Sequence, residues 1–214
     1  MDIIKQLIDF ILHVDIFLNR WTTDYQTWTY LILFIIVFCE TGLVVTPFLP
    51  GDSLLFASGA IAATDGSPLS IGFLVLMFFS AALLGDNSNF FIGKFLGEKV
   101  YKKNYKLISR KNLDKTQKFY EKHGGKTLVI ARFMPILRTF APFVAGVARM
   151  TYPHFITYSL IGNVLWVNIL CWAGYLFANN IYVKNNFSVV IIVIILISVL
   201  PPLIVVLKEK FNKK

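Results

Sequence analysis

The chain has 214 residues, of which 56% are hydrophobic and only 15% charged. Soluble domains carry roughly 25% charged residues, so the composition argues against an ordinary soluble globular protein and for a single-domain integral membrane protein. The net charge of +9 sits mostly in one loop and the C-terminal tail, which topology and anionic lipid headgroups explain without a nucleic-acid partner.

Residues 1–20 read as an amphipathic helix lying in the membrane interface. Ile3, Ile4, Leu7, Ile8, Ile11 and Leu12 share one face, while Asp2, Lys5, Asp9 and Asp15 argue against spanning. With two acids in its first nine residues and no small-residue cleavage site, this segment is not expected to act as a signal peptide. Tyr30 to Val45 is apolar except for Glu40, and is read as a span. Thr46-Pro-Phe-Leu-Pro-Gly-Asp52 then cannot continue a regular helix. From 46 to 63 there are too few residues for two crossings, which leaves a re-entrant hairpin or one broken crossing; a first re-entrant hairpin is the favoured reading. Pro47, Pro50 and Gly51 give it shape, and Asp52 gives it a charge.

Thr64 to Pro68, TDGSP, is a turn in water. Leu69 to Ile92 is the next span, with Asp86, Asn87 and Asn89 towards its end. Residues 94–126 are a polar loop with eleven Lys/Arg against three acids, hence cytoplasmic. Thr127 to Ala148 is apolar but carries Arg132, Pro135, Arg138 and Pro142, and reads as a second re-entrant hairpin. Tyr152 to Ala178 and 187–207 are spans, followed by a basic cytoplasmic tail. For loop and tail to share a side, segment 127–148 must enter and leave on the cytoplasmic face, while 46–63 opens outward. Cys39 and Cys171 lie in apolar segments outside any CxxC or Cys/His cluster, so no metal and no cofactor is expected.

The two broken segments look like copies. Pro47-Phe-Leu-Pro50 resembles Pro135-Ile-Leu-Arg138, with Gly59 and Gly146 following at similar distances. Each precedes a span carrying Gly85-Asp86 or Gly162-Asn163 and ending near Gly93 or Gly174. Copies with opposite orientation make an inverted-topology repeat, which places a binding site near the bilayer midplane.

Three stretches carry a family resemblance: Glu40 to Phe56 (ETGLVVTPFLPGDSLLF), Gly85 to Gly93 (GDNSNFFIG) and Lys122 to Met150. They resemble the DedA family of bacterial inner-membrane proteins, relatives of the eukaryotic VTT-domain lipid scramblases. The first string is more similar to the family's namesake than to its paralogues. The resemblance covers nearly the whole chain. It implies an all-α polytopic fold with two re-entrant hairpins, and a role in moving lipids between leaflets. Recycling of undecaprenyl phosphate and envelope homeostasis dependent on the proton motive force belong to that expectation. The acids the family requires fall on Glu40 and Asp52, and its arginines on Arg132 and Arg138.

Those residue types suit the task. An arginine offers a planar fork to two phosphate oxygens and keeps its charge at any working pH. Arg132 and Arg138 are therefore the expected phosphate ligands, with Glu40 and Asp52 balancing their charge or carrying a proton. Against this stands a structural reading, in which the four charges only pair to hold the hairpins together. Asp86 and Arg149 are secondary candidates. Asp86 can join the relay, but its place towards the end of a span puts it nearer the headgroups, capping local polar groups. Arg149 contacts headgroups or serves the positive-inside bias. The expected partners are an anionic polyprenyl phosphate or a phospholipid, and protons. Alternative functions are passive phospholipid scrambling, ion or proton transport, and a scaffold. No nucleophile–base constellation supports an enzyme.

Overall fold

The computed structural model describes residues 27–43, 51–103 and 125–178, together with positions 18, 21, 22, 24, 25, 189 and 193. Most of the expected interfacial helix, the Pro47 and Pro50 break, residues 104–124 and most of the span 187–207 lie outside the described residues. All regular structure among the described residues is helical: α1 (Trp28–Gly42), α2 (Gly51–Ala62), α3 (Ile71–Lys103), α4 (Lys126–Ala131), α5 (Pro135–Val147) and α6 (Tyr152–Phe177).

Two of these helices are long and apolar enough to cross a bilayer. The qualifying stretches are Ile71–Gly97 and Tyr152–Phe177, each with mean hydropathy 1.6. Only 39% and 33% of their apolar windows are buried. A core helix of a soluble protein would hide such a surface. Here Phe73, Leu76, Leu84 and Phe91 on α3, and Leu160, Val164, Ile169 and Leu176 on α6, face outward. An apolar exterior of this extent suits lipid rather than water.

Contacts divide the chain into two compact units: residues 1–35, 50–78 and 167–214, and residues 36–49 and 79–166. In the first, α2 is buried from Gly51 through Ile61, as expected of a helix built from small and apolar residues on all sides. Its Gly59 lies so close to the backbone of Cys171 that a Cβ there would overlap the Cys171 carbonyl. Gly174 stands in the same relation to the carbonyl of Phe56. The turn before α3 is the expected one, with Gly66 at φ 77°, a conformation that suits glycine. Ser70 donates its backbone N–H to Tyr30 Oη at 2.7 Å, tying α1 to the start of α3.

In the second unit, the later part of α3 packs on α5 in the same manner. Gly146 abuts the backbone of Phe90, and Gly93 abuts that of Phe143. Each unit thus holds one reciprocal pair, Phe56/Gly59 with Cys171/Gly174 and Phe90/Gly93 with Phe143/Gly146. These are four of the six glycines that mark the sequence repeat. Close backbone approach through small residues is how helices pack in lipid, where no hydrophobic force drives them together. Around this contact Phe90, Leu128, Ala131, Ala141, Ala145, Ala148 and Phe155 form a core. The Phe90 and Phe155 rings stack at 4.2 Å.

One boundary differs from expectation. α3 does not stop near Ile92 but runs on to Lys103, because residues 94–103 contain neither proline nor a turn pair. Charge alone does not end a helix built of good formers such as Lys, Glu and Leu. Segment 127–148 is a helix–turn–helix, broken over Arg132–Met134. Met134 is extended, at φ −119° and ψ 109°, and Pro135 opens α5. Proline disfavours the helical region for the residue before it and is tolerated in the first turn. Pro142 lies inside α5, where it has no N–H to offer the preceding turn. α5 closes with Arg149 N–H bonded to Gly146 O and Met150 N–H to Ala145 O, both at 3.0 Å. That is a Schellman cap, in which Arg149 takes the left-handed place (φ 57°) usually given to glycine.

Candidate functional site

The polar groups of the second unit converge on one place. α1 ends at Gly42, and Glu40 lies in its last turn with no exposed surface. A carboxylate at a helix C-terminus faces the negative end of the helix dipole. Its compensation is Arg138, whose Nη2 donates to Glu40 Oε1 in a buried ion pair. Asn89 on α3 fixes the geometry of that pair. Its amide donates to the carbonyl of Thr41, and at 3.2 Å to the carbonyl of Thr139. Thr41 and Thr139 are the neighbours of Glu40 and Arg138, so one side chain sets the spacing of both backbones that carry the pair.

A second pair lies beside it. Arg132 directly follows α4, and its Nη1 donates to Asp86 Oδ1 of α3 at 2.7 Å. The other oxygen of Asp86 accepts from Ser159 Oγ at 2.6 Å and from Asn163 Nδ2 at 2.9 Å, both on α6. Asn163 Nδ2 also reaches Ser159 Oγ at 3.1 Å. Arg132 Nε and Nη2 are buried and have no acceptor among the described residues.

Both arginines lie against one aromatic ring. Trp166 of α6 is fully buried, with its ring centre 4.8 Å from the Arg132 guanidinium carbon and 5.2 Å from that of Arg138. Desolvated cation–π contacts of this kind are worth about 2 kcal/mol each. A small pocket opens between these groups, lined by Asp86, Leu128, Arg132, Arg138, Phe155 and Ser159, with Pro142 and Gly162 completing the wall. Its centre has room for about one water molecule. Two cations and two carboxylates stand here among apolar helices, each at most 3% exposed. Buried charge is costly unless paired and hydrogen-bonded, and intramembrane charge marks functional sites.

Of the residues singled out from sequence, Glu40, Arg132 and Arg138 come together. Asp86 joins them as the direct partner of Arg132, and it also holds the local polar groups of Ser159 and Asn163. Asp52 is buried in the first turn of α2, in the other unit. Gly51 opens α2, while Pro47 and Pro50 lie outside the described residues. Arg149 is exposed at the end of α5. The sequence did not single out Ser159 or Trp166 for the site, and Asn163 stood out only in the Gly162-Asn163 pair of the repeat. The available signal was their spacing: 159, 163 and 166 fall on one face of a helix, and 159 and 163 are polar positions in a mostly apolar run. No cluster of three or more His, Cys, Asp or Glu stands ready for a metal among the described residues.

Comparison with known proteins agrees with the resemblance. Residues 49–176 match the family model described as the VTT domain. The chain is 51% identical to Protein DedA of Escherichia coli (strain K12) over 211 residues, 98% of this chain and 96% of that protein. It is 40% identical over 173 residues to an uncharacterized membrane protein of Mycobacterium tuberculosis, covering 80% and 76% of the two chains. With the inner membrane protein YqjA of Escherichia coli it shares 32% identity over 167 residues, 73% and 74% of the two. No solved structure matches it.

Proposed function

This chain belongs to the VTT-domain (DedA) family of membrane proteins, and from that premise we propose that it moves an anionic lipid between the leaflets of the bacterial inner membrane. Undecaprenyl phosphate is the lipid proposed. The observation that carries this reading is that Arg132 and Arg138 both pack on the Trp166 ring and both line one small pocket. Two guanidinium groups so placed can share the oxygens of one phosphate. The pocket is water-sized, so a headgroup enters only as its walls part. Glu40 then neutralises Arg138 whenever no phosphate lies beside it, while Asp86 stays bridged to Arg132. A carboxylate whose counter-ion turns to a ligand is drawn towards taking up a proton, which is the proposed link to the proton motive force, with Asp52 a further candidate.

The proposed architecture is a pair of re-entrant hairpins, 46–63 and 127–148, of inverted orientation, with the basic loop and the tail in the cytoplasm. The matched glycine contacts of the two units support the repeat. Parts of the chain that do not touch the ligand then rock between two packings, as in transporters built from such repeats.

One observation favours a second reading. Both arginines already have carboxylate partners, and such pairs also serve structure alone. The test is leaflet exchange in proteoliposomes carrying labelled polyprenyl phosphate or labelled phospholipid, with and without a pH gradient. Faster exchange of the polyprenyl phosphate than in protein-free vesicles, enhanced by the gradient, is expected. Exchange of neither lipid would leave the scaffold reading, and exchange indifferent to the gradient would remove the proton link.

A further inference from the structure

The two arginines are not held alike, and the difference turns on Asp86. An arginine presents two bidentate edges: one formed by both terminal amino groups, the other by Nε–H and the Nη2 hydrogen beside it. On Arg132 only Nη1 is engaged, by Asp86 Oδ1 at 2.7 Å. Nε and Nη2 are buried without an acceptor among the described residues. They are the two donors of the second edge. Trp166 covers one face of the guanidinium at 4.8 Å, so a partner for that edge approaches in the plane of the group. Buried donors left unmade are costly, and two on one edge have the geometry of a receptor for two oxygens.

What keeps that edge open is the arrangement at Asp86. A carboxylate facing arginine ordinarily uses both oxygens. Here Oδ2 is occupied by Ser159 Oγ at 2.6 Å and Asn163 Nδ2 at 2.9 Å. Asp86 therefore reaches Arg132 through one oxygen only.

We infer that Ser159 and Asn163 are positioning residues: by holding Asp86 to one-oxygen contact, they reserve the Nε/Nη2 edge of Arg132 for two oxygens of a phosphate mono- or diester. This rests on the proposed function and deepens it. The ligand binds beside the Asp86 bridge rather than displacing it. Removing the two α6 donors leaves every charge in place but lets Asp86 rotate onto Nη2, where it competes with the ligand.

The test uses the full chain in detergent micelles, titrated with farnesyl phosphate as a soluble polyprenyl phosphate and with farnesol as the uncharged control. The Arg132 Nε–H resonance in 15N spectra, assigned by its loss in Arg132→Lys, reports on the edge itself. Wild type is expected to bind farnesyl phosphate and not farnesol, with a saturable shift of that resonance. Arg132→Lys keeps the charge but loses the fork. Ser159→Ala with Asn163→Leu keeps both charge and fork. Each is expected to raise Kd about tenfold or more, the loss of roughly one charge-assisted hydrogen bond. Melting temperature in the same micelles confirms folding, and Ser159→Thr, which retains the hydroxyl, is expected to bind within about threefold of wild type.

An unshifted Nε–H at saturation would overturn the inference, as would Arg132→Lys binding like wild type. So would a Ser159/Asn163 double variant with unaltered affinity. Any of these with lipid exchange intact refutes the edge alone. Loss of both farnesyl phosphate binding and lipid exchange in wild type refutes the proposed function as well.

Discussion

Replacing Gly146 by alanine sets two opposed effects against each other. Alanine is the better helix former, by about 1 kcal/mol in a helix interior. A Cβ at Gly146, however, would lie on the carbonyl oxygen of Phe90 and within 3.0 Å of Lys94 N and Phe90 C. These are backbone atoms of a helix and cannot swing aside. The overlap is roughly 1 Å, and a gap of that size forfeits up to half of each dispersion contact along the interface. Overpacking of this kind costs about 1–3 kcal/mol, and more where the backbone must move. The clash therefore outweighs the propensity, and Gly146→Ala is expected to destabilise by about 1–2 kcal/mol net. Gly72 provides the control. It is exposed on α3 and a Cβ there meets nothing within 4 Å, so Gly72→Ala keeps only the favourable effect, at most about 1 kcal/mol. Thermal unfolding of the purified protein in detergent measures both. At about 2–4 °C per kcal/mol for a chain of this length, the two variants should melt on opposite sides of wild type. Gly59→Ala, the counterpart in the first unit, should follow Gly146→Ala. A Gly146→Ala protein as stable as Gly72→Ala would refute the close approach of α3 and α5.

Glu40→Gln leaves the Arg138 charge buried without its counter-charge and is expected to cost about 3–5 kcal/mol in the same melt. Exchanging the two residues (Glu40→Arg with Arg138→Glu) should recover much of that stability but no lipid exchange; recovery of both would favour a purely structural pair. Trp166→Leu, which removes the ring under both arginines, should cost about 3 kcal/mol, while Trp166→Phe should cost less than half as much. Arg149→Gly should exceed Arg149→Ala in stability by about 1 kcal/mol, because both lose the side chain but only glycine relieves the left-handed φ; equal stability would contradict the cap geometry.

Much of this was legible in the sequence because membrane chains are strict about polarity. A carboxylate at 40 and arginines at 132 and 138 stand out in apolar runs, and the structure brings those three into one unit. The four repeat glycines in reciprocal contact were visible as spacing, but that contact was not, since a glycine in a helix shows only that something approaches closely. Asp86 was legible as a polar position late in a hydrophobic run, but its pairing with Arg132 was not, because a sequence separation of 46 hides which helices pack together. Trp166 was hidden by its chemistry, because a tryptophan in a span is ordinarily an interfacial anchor. Only the third dimension reveals two cations packed on its ring. Ser159 and Asn163 carried a helical spacing that becomes informative once Asp86 is known to face them.

The account depends most on the Arg132 pocket receiving a lipid phosphate. Its sharpest test is leaflet exchange of labelled undecaprenyl phosphate by reconstituted wild type and by the double variant Arg132→Gln with Asp86→Asn. That variant removes the pair together and strands no buried charge. Wild type exceeding protein-free vesicles, with the folded double variant falling to their rate, is the predicted result. Equal exchange by the two proteins would contradict it.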